Sequence, residues 1–322
     1  MRFLLRNKLI RKMISVFTCS CGEVISFFFC LKYYLLSQKK DKYIFIQAWV
    51  NVRFGKVIHN NWGDDINIFF LEELTGKKVI ILPQTRSSRL FTIKNYVFIG
   101  SCIEYANRKK SIVFGSGLMN DKINYPLPKK DTKFIAVRGP LTAEWLKING
   151  YSCPRVYGDP ALLISYFYKP KMEKKYRISY IPHHTEFISN PEIINYFKNL
   201  GIHIIRVTSY GNWKEFIEDI CASEYVLSSS LHGLIISESY NIPNTWTCSS
   251  NQIEGFNFKF YDFYESINKP NMKPLFISTT SKIDDLNLEK ENWYSTKDCV
   301  EKVKKALLDN FPFTIKKEIS SF

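Results

Sequence analysis

Short apolar runs, each broken by a polar or small-residue turn and followed by an amphipathic stretch, recur along most of this chain. Residues 42–50 read as a strand and 59–65 as a polar turn. Apolar positions at helical spacing then predict a helix over 66–74, stopped by Gly76. Short buried strands are predicted at 78–82, 95–99, 111–114 and 133–137. Pro140 suits the first position of a helix over 141–149 that Gly150 ends, and residues 155–157 lead into Gly158-Asp-Pro160. The charged, proline-containing stretch 169–175 reads as a linker. Beyond it come strand 177–181, helix 191–199, strand 202–207, helix 213–222, strand 225–228, helix 231–240 and strand 244–247. An aromatic segment at 256–264 and a helix over 296–308 follow. Strands alternating with helices of this length indicate parallel sheets with right-handed crossovers. The expected fold class is α/β: two Rossmann-like domains, 41–168 and 176–295, with parallel sheets facing a cleft, then a C-terminal helix and tail at 296–322.

Residues 1–40 break this pattern. Arg2, Arg6, Lys8, Arg11 and Lys12 precede an apolar run at 13–36. A spanning helix takes about 20 mainly apolar residues. This run is long enough, but Glu23 and Lys32 interrupt it. The short apolar core and small-residue cleavage site of a signal peptide are not evident. Two readings stand side by side: a segment in peripheral contact with the inner surface of the cell membrane, and a helix packed on the globular body. The location expected is cytoplasmic in either case.

Composition narrows the classes. A hydrophobic content of 45% with 16% aromatic residues supplies sizeable cores and excludes wholesale disorder. The formal net charge of +15 suits an anionic partner. The basic residues are dispersed and no nucleic-acid motif appears, so nucleic acid is not the expected partner. The eight cysteines are scattered through apolar runs, which is reduced usage rather than a disulfide framework. Cys19-Ser-Cys21 has the wrong spacing for a zinc knuckle, and no metal is expected.

The polar clusters share one predicted location, the loops after strands. They are Asn61/Gly63/Asp64, Gly115/Ser116/Gly117, Arg138/Gly139, Gly158/Asp159, His183/His184 and Ser229/Ser230/His232. Ligands bind at the carboxyl ends of strands in open α/β sheets. His232 and Gly233 fall in the first turn of the helix over 231–240, where unpaired N–H groups favour anions. Each cluster also has a plain structural reading. His232 reads equally as a residue capping its own helix, Asp64 and Asp159 as caps, Arg138-Gly-Pro140 as helix-start grammar, and His183-His184 as a surface turn. Gly115-Ser-Gly117 lacks the dinucleotide fingerprint, so a nicotinamide cofactor is not expected.

Taken in order, Asn61-Trp-Gly-Asp-Asp, Phe114-Gly-Ser-Gly, Val137-Arg-Gly-Pro-Leu with Gly158-Asp-Pro-Ala-Leu-Leu, and Ser229-Ser-Leu-His-Gly-Leu with Asn241-Ile-Pro are more specific. This series resembles the polysaccharide pyruvyl transferase family over residues 61–243. The resemblance implies a two-domain, glycosyltransferase-B-like fold. It implies transfer of a pyruvyl group from phosphoenolpyruvate, a co-substrate with no further cofactor, to two hydroxyls of a sugar as a cyclic ketal. The acceptor implied is a bacterial surface glycan (capsule, exopolysaccharide or lipopolysaccharide) or its lipid-linked precursor. Such chemistry needs cations for phosphate and carboxylate, a proton for the methylene carbon and a base for the hydroxyl.

On this reading His232, with an unperturbed pKa near neutrality, is the candidate general acid/base. Asp64 or Asp159 is the catalytic candidate that orients an acceptor hydroxyl, Asp159 reading equally as a residue that fixes its loop. Arg138, Gly139, Gly115, Ser116, Gly117, Ser229, Ser230 and Gly233 are donor-binding candidates, and Asn61, Gly63, His183 and His184 acceptor-binding ones. Many family members carry an arginine two residues before the Leu-His-Gly histidine, where this chain has Ser230. Arg206 or Lys214 is the expected substitute cation. The alternatives are a glycosyltransferase using a nucleotide-activated sugar on the same scaffold, and a non-catalytic glycan-binding or assembly protein.

Overall fold

The structure, a computed structural model, describes residues 8–39, 42–53, 56–58, 61–122, 126–208, 210–249, 257–282 and 297–316. It opens with a long helix, α1 (Lys8–Ser37). The first half then runs β1 (Tyr43–Ile46), an antiparallel hairpin of β2 (Asn51–Arg53) and β3 (Lys56–Ile58), α2 (Trp62–Thr75), β4 (Lys78–Ile81), β5 (Asn95–Val97), β6 (Ser111–Phe114), β7 (Lys133–Ala136), α3 (Pro140–Ile148) and α4 (Ile164–Phe167). The second half runs β8 (Tyr176–Ile181), α5 (Glu186–Ser189), α6 (Pro191–Asn199), β9 (His203–Ile204), α7 (Trp213–Cys221), β10 (Ser223–Ser228), α8 (Leu231–Ser239), β11 (Asn244–Cys248), α9 (Phe258–Ser266), β12 (Leu275–Phe276) and α10 (Lys297–Asp309).

Two parallel five-stranded sheets result, in the orders β4-β1-β5-β6-β7 and β12-β11-β10-β8-β9. Both follow one scheme: the first strand lies between the second and the third, so the chain winds to one edge and then back across. The crevice outside such a reversal, at the carboxyl ends of the strands, is where open α/β sheets take ligands. The reversals fall between β1 and β5 and between β8 and β10.

Several boundaries differ from those expected, each for an identifiable reason. Helix α2 begins at Trp62 rather than Ile66, because the Asn61 side chain accepts from the Gly63 N–H at 3.0 Å and starts the helix early. Gly76 ends it in the left-handed region at φ +69°. The strand expected over 95–99 stops at Val97, since the Asn67 side-chain amide takes over both backbone groups of Ile99, at 2.9 and 3.0 Å. The strand expected over 202–207 shrinks to His203–Ile204, because the Val207 carbonyl leaves the sheet to accept from the Trp62 N–H at 2.7 Å. The strand expected over 42–50 ends at Ile46, ahead of the β2–β3 hairpin. The aromatic segment at 256–264 is helical from Phe258. His59 and Asn60, in the expected polar turn, lie outside the described residues.

The halves are bound together where α2 starts. Trp62 is fully buried, its ring stacked on Phe216 at 4.5 Å, and its indole N–H donates to the Trp213 carbonyl at 2.8 Å. Burying such a ring contributes roughly 1.5–3 kcal/mol or more. It also fixes the residues next to Trp62 against α7 of the second half. The C-terminal helix returns to the first half: Val303 and Leu307 of α10 pack at Gly158, and Phe311 and Phe313 pack on Phe98.

Candidate active site

A cavity of about 440 Å³ is lined by residues from both halves of the chain, most of them in loops that follow strands. From the first half it is lined by Trp49 after β1, Asn61 and Asp64 at the start of α2, Ser101, Cys102 and Glu104 after β5, and Met119 and Asn120 after β6. From the second half come His183 and His184 after β8, Ser230, Leu231 and His232 at the start of α8, and Lys259 in the first turn of α9. Asn61, Asp64, His183, His184, Ser230 and His232 are expected site residues from three separate clusters, and folding brings them into this one space.

His232 is held from the other half. Gly63, in the first turn of α2, lies flat against its imidazole: a Cβ built there would sit 2.5 Å from Cγ and nearer still to Nδ1. Only glycine leaves the ring its place. The Nε2 atom is buried with no protein hydrogen-bond partner among the described residues. Burial, with Lys259 and Arg138 nearby, pulls the His232 pKa down to about 3. The ring is therefore neutral at physiological pH, not poised near neutrality as its unperturbed value suggests.

Asp64 is driven the other way. Burial and the neighbouring Asp65 raise it to about 7, and Lys259 only partly opposes them. Near pH 7 it is a carboxylic acid about as often as a carboxylate. Lys259 is buried too, and its pKa falls to about 8, chiefly from burial and then from Arg138, with Asp64 acting against both. A neutral imidazole, a carboxyl near its midpoint and a cationic amine thus line one space. Groups pushed apart in this way can divide acid and base roles between them.

Ser230 is the N-cap residue of α8, but its hydroxyl makes no side-chain cap bond. Its own N–H donates to Ser228 Oγ at 3.1 Å. Ser230, Leu231 and His232 line the cavity at the N-terminus of α8, a position where the helix dipole and first-turn N–H groups favour an anion. His183 and His184 stand side by side, ring centres 4.2 Å apart. His183 is lowered to about 3 by burial, Lys259 and His184, and His184 is lowered by burial and Lys259.

The other expected site residues do not line the cavity, and several build what does. Arg138 is completely buried and multiply bonded: Nε to Asp262 at 3.0 Å, Nη1 to Ser101 Oγ at 2.5 Å, and Nη2 to the Leu118 carbonyl at 2.6 Å. Asp262 also accepts from the Thr142 N–H at 2.9 Å and hydroxyl at 2.6 Å. Gly117 leaves room for the guanidinium and Gly139 for the Asp262 backbone. The Arg-Gly-Pro motif is thus a clamp on α9, the helix that carries Lys259 one turn before Asp262.

Asp159 is buried and caps the turn Pro160–Leu163, accepting from the Ala161 N–H at 2.9 Å. Burial raises its pKa to about 6. Gly115, at φ +82°, packs on Pro160, and the Ser116 hydroxyl donates to the Gly100 carbonyl at 2.8 Å. Ser229 accepts from the His183 N–H at 2.8 Å and donates to Glu186 at 2.5 Å, which shapes the histidine loop. Gly233 packs against Ser228. Of the expected substitute cations, Arg206 is exposed over the Phe187 ring and Lys214 lies over Tyr168 and Trp213; neither lines the cavity. Among the described residues, the cation lining the cavity is Lys259, which sequence reasoning passed over as part of an aromatic segment.

A sequence profile for polysaccharide pyruvyl transferases matches residues 20–251. The chain belongs to the polysaccharide pyruvyl transferase family. It is 24% identical over 212 residues to the succinoglycan biosynthesis protein ExoV of Rhizobium meliloti (strain 1021), covering 65% of this chain and 62% of that protein. It is 28% identical over 210 residues to the uncharacterized protein L143 of Acanthamoeba polyphaga mimivirus, covering 63% of this chain and 69% of that protein. The chain therefore spans less than two thirds of the length of the succinoglycan relative. Most of the cavity-lining residues fall within the pyruvyl transferase stretch, whereas Lys259 and its anchor Asp262 lie just beyond it.

Proposed function

We propose that this protein is a pyruvyl transferase that moves a pyruvyl group from phosphoenolpyruvate onto two hydroxyls of a sugar, forming a ketal during surface-glycan assembly. The observation that carries this reading is the grouping of Lys259, Asp64 and His232 at the N-terminus of α8. Two Rossmann-like domains meeting at a glycosyltransferase-B-like cleft are the corresponding architectural reading.

The phosphate and carboxylate of the donor lie against Lys259 and the first-turn N–H groups of α8, with the Ser230 hydroxyl beside them. Lys259 takes the part of the family arginine that Ser230 replaces. Asp64 in its acid form gives a proton to the methylene carbon, which becomes the methyl group and leaves the adjacent carbon electron-poor. Neutral His232 accepts the proton of the first sugar hydroxyl as its oxygen bonds to that carbon. The carbon–oxygen bond to phosphate then breaks, and the proton held by His232 leaves with the phosphate. The second hydroxyl bonds to the same carbon and returns a proton to Asp64. One phosphoenolpyruvate and two hydroxyls become one ketal and one phosphate.

Trp49, 60% exposed yet stacked on Tyr105 at 5.7 Å, offers the sugar an aromatic platform at the mouth. The test uses phosphoenolpyruvate labelled with carbon-13 at the methylene, together with acceptor glycan. A new methyl resonance on the glycan with matching phosphate release is expected, and both vanish in His232→Ala. Phosphate release without labelled glycan, or unchanged transfer by His232→Ala, overturns the assignment.

A further inference from the structure

Helix α1 presents two unlike faces. Its inner face is docked: Cys30 and Ser26 are buried, Phe27 and Tyr34 contact Phe91, and Tyr33 contacts Phe45. Glu23, which looks out of place in an apolar run, accepts from the Arg86 and Ser87 N–H groups at 3.0 and 2.7 Å and so pins the loop beside the helix. Its pKa is lowered, first by the Ser87 hydroxyl.

The outer face is apolar and uncovered. Val24, Phe28, Leu31 and Leu35 are 56%, 64%, 37% and 60% exposed. Their spacing of four, three and four residues stacks them in one stripe along the helix. A contiguous exposed stripe of large apolar side chains marks an interaction surface. No described helix is long and apolar enough to cross a membrane, so α1 does not meet lipid as a spanning segment.

Charge decides between occupants. Residues 1–40 carry eight Lys and Arg (Arg2, Arg6, Lys8, Arg11, Lys12, Lys32, Lys39, Lys40) against the single acid Glu23. Exposed Arg86, Arg89 and Leu90 belong to the loop that Glu23 pins. Two copies of so basic a segment repel each other, whereas an anionic bilayer attracts it and takes up the stripe.

We propose that the outer face of α1 lies in the interfacial layer of an anionic membrane, with the globular body held on the helix's inner face. Amphipathic helices of this kind sit about 5–10 Å into the headgroup boundary, with strength set by apolar area and charge together. The proposal does not depend on the reaction assigned above.

The test is flotation of the full chain with phosphatidylcholine vesicles, with and without phosphatidylglycerol. Binding to the anionic vesicles is expected, weakening as salt rises. In Phe28→Glu/Leu35→Glu it falls at least tenfold, while the thermal melt stays unchanged because both side chains are exposed. A third protein, Arg11→Glu/Lys12→Glu, keeps the stripe and is expected to lose the preference for phosphatidylglycerol. Failure of the wild-type chain to float, or equal flotation by the stripe variant, overturns the proposal. So does a concentration-dependent dimer that the stripe variant abolishes without any vesicle binding.

Discussion

Gly63→Ala isolates the contact that seats His232. The added Cβ would lie 2.5 Å from the imidazole Cγ and nearer still to Nδ1, where non-bonded atoms rest at about 3.5 Å, so the ring must retreat by more than about 1 Å. Overpacking of this kind costs about 1–3 kcal/mol. Alanine in place of glycine within α2 returns about 1 kcal/mol of helix propensity. The single variant should therefore lose at most about 2 kcal/mol of stability. In a His232→Ala background the obstacle is gone, and the same change should gain about 1 kcal/mol. The coupling between the two sites is then about 1–3 kcal/mol. Urea melts of the four proteins measure it without any substrate. Catalysis is the more sensitive readout, since a displacement of about 1 Å costs on the order of a hundredfold. Phosphate release by Gly63→Ala should drop at least that far while the protein remains folded. Equal stability effects in both backgrounds, with phosphate release near the wild-type rate, would refute the claim that Gly63 seats a catalytic histidine.

Three further outcomes follow from the buried charges. Asp64 titrates near 7 when folded and near 3.8 when exposed, so between those values the folded state holds a proton the unfolded state has released, and stability falls as pH rises. Asp64→Asn should consequently melt higher than the wild type at pH 8 and close to it at pH 4; a constant difference across that range would contradict the assignment. Arg138→Ala should cost about 3–5 kcal/mol by stranding buried Asp262, read by urea denaturation, and a loss under 1 kcal/mol would mean the clamp is not structural. Phosphoenolpyruvate affinity should weaken as pH rises through about 8 and Lys259 loses its charge, with the midpoint moved upward by the bound anion. Calorimetry of Lys259→Met should show weaker binding without that fall, and an unchanged pH profile would exclude Lys259 as the donor cation.

The alternation of apolar runs made the parallel sheets legible, and the helices at Pro140, Pro191 and Trp213 begin where proline or a cap places them. What the pattern missed arises from contacts between distant residues. Asn67 and Trp62 end strands early by taking backbone groups the ladder would have used. The convergence of Asn61, Asp64, His183, His184, Ser230 and His232 was readable as polar loops following strands. The roles of Arg138 and Lys259 were not. An arginine beside Gly-Pro looks like an anion ligand until Asp262, more than a hundred residues away in sequence, is seen to hold it. Lys259 sits among aromatic residues whose spacing only says helix; burial beside Asp64 and His232 is what makes it a site residue. Glu23 was read as a flaw in an apolar run, and its partners at Arg86 and Ser87 belong to a loop no local pattern connects to it.

The most direct test of the central claim is calorimetric titration of the wild-type chain and Lys259→Ala with phosphoenolpyruvate, UDP, CMP and GDP. Removing a charged partner of a bound anion costs about 1.5–3 kcal/mol, roughly ten- to a hundredfold in affinity. The expected result is binding of phosphoenolpyruvate alone, weakened to that extent in Lys259→Ala and restored in part by adding Ser230→Arg. Binding of a nucleotide and not of phosphoenolpyruvate would contradict pyruvyl transfer and make this site one for a nucleotide-activated sugar.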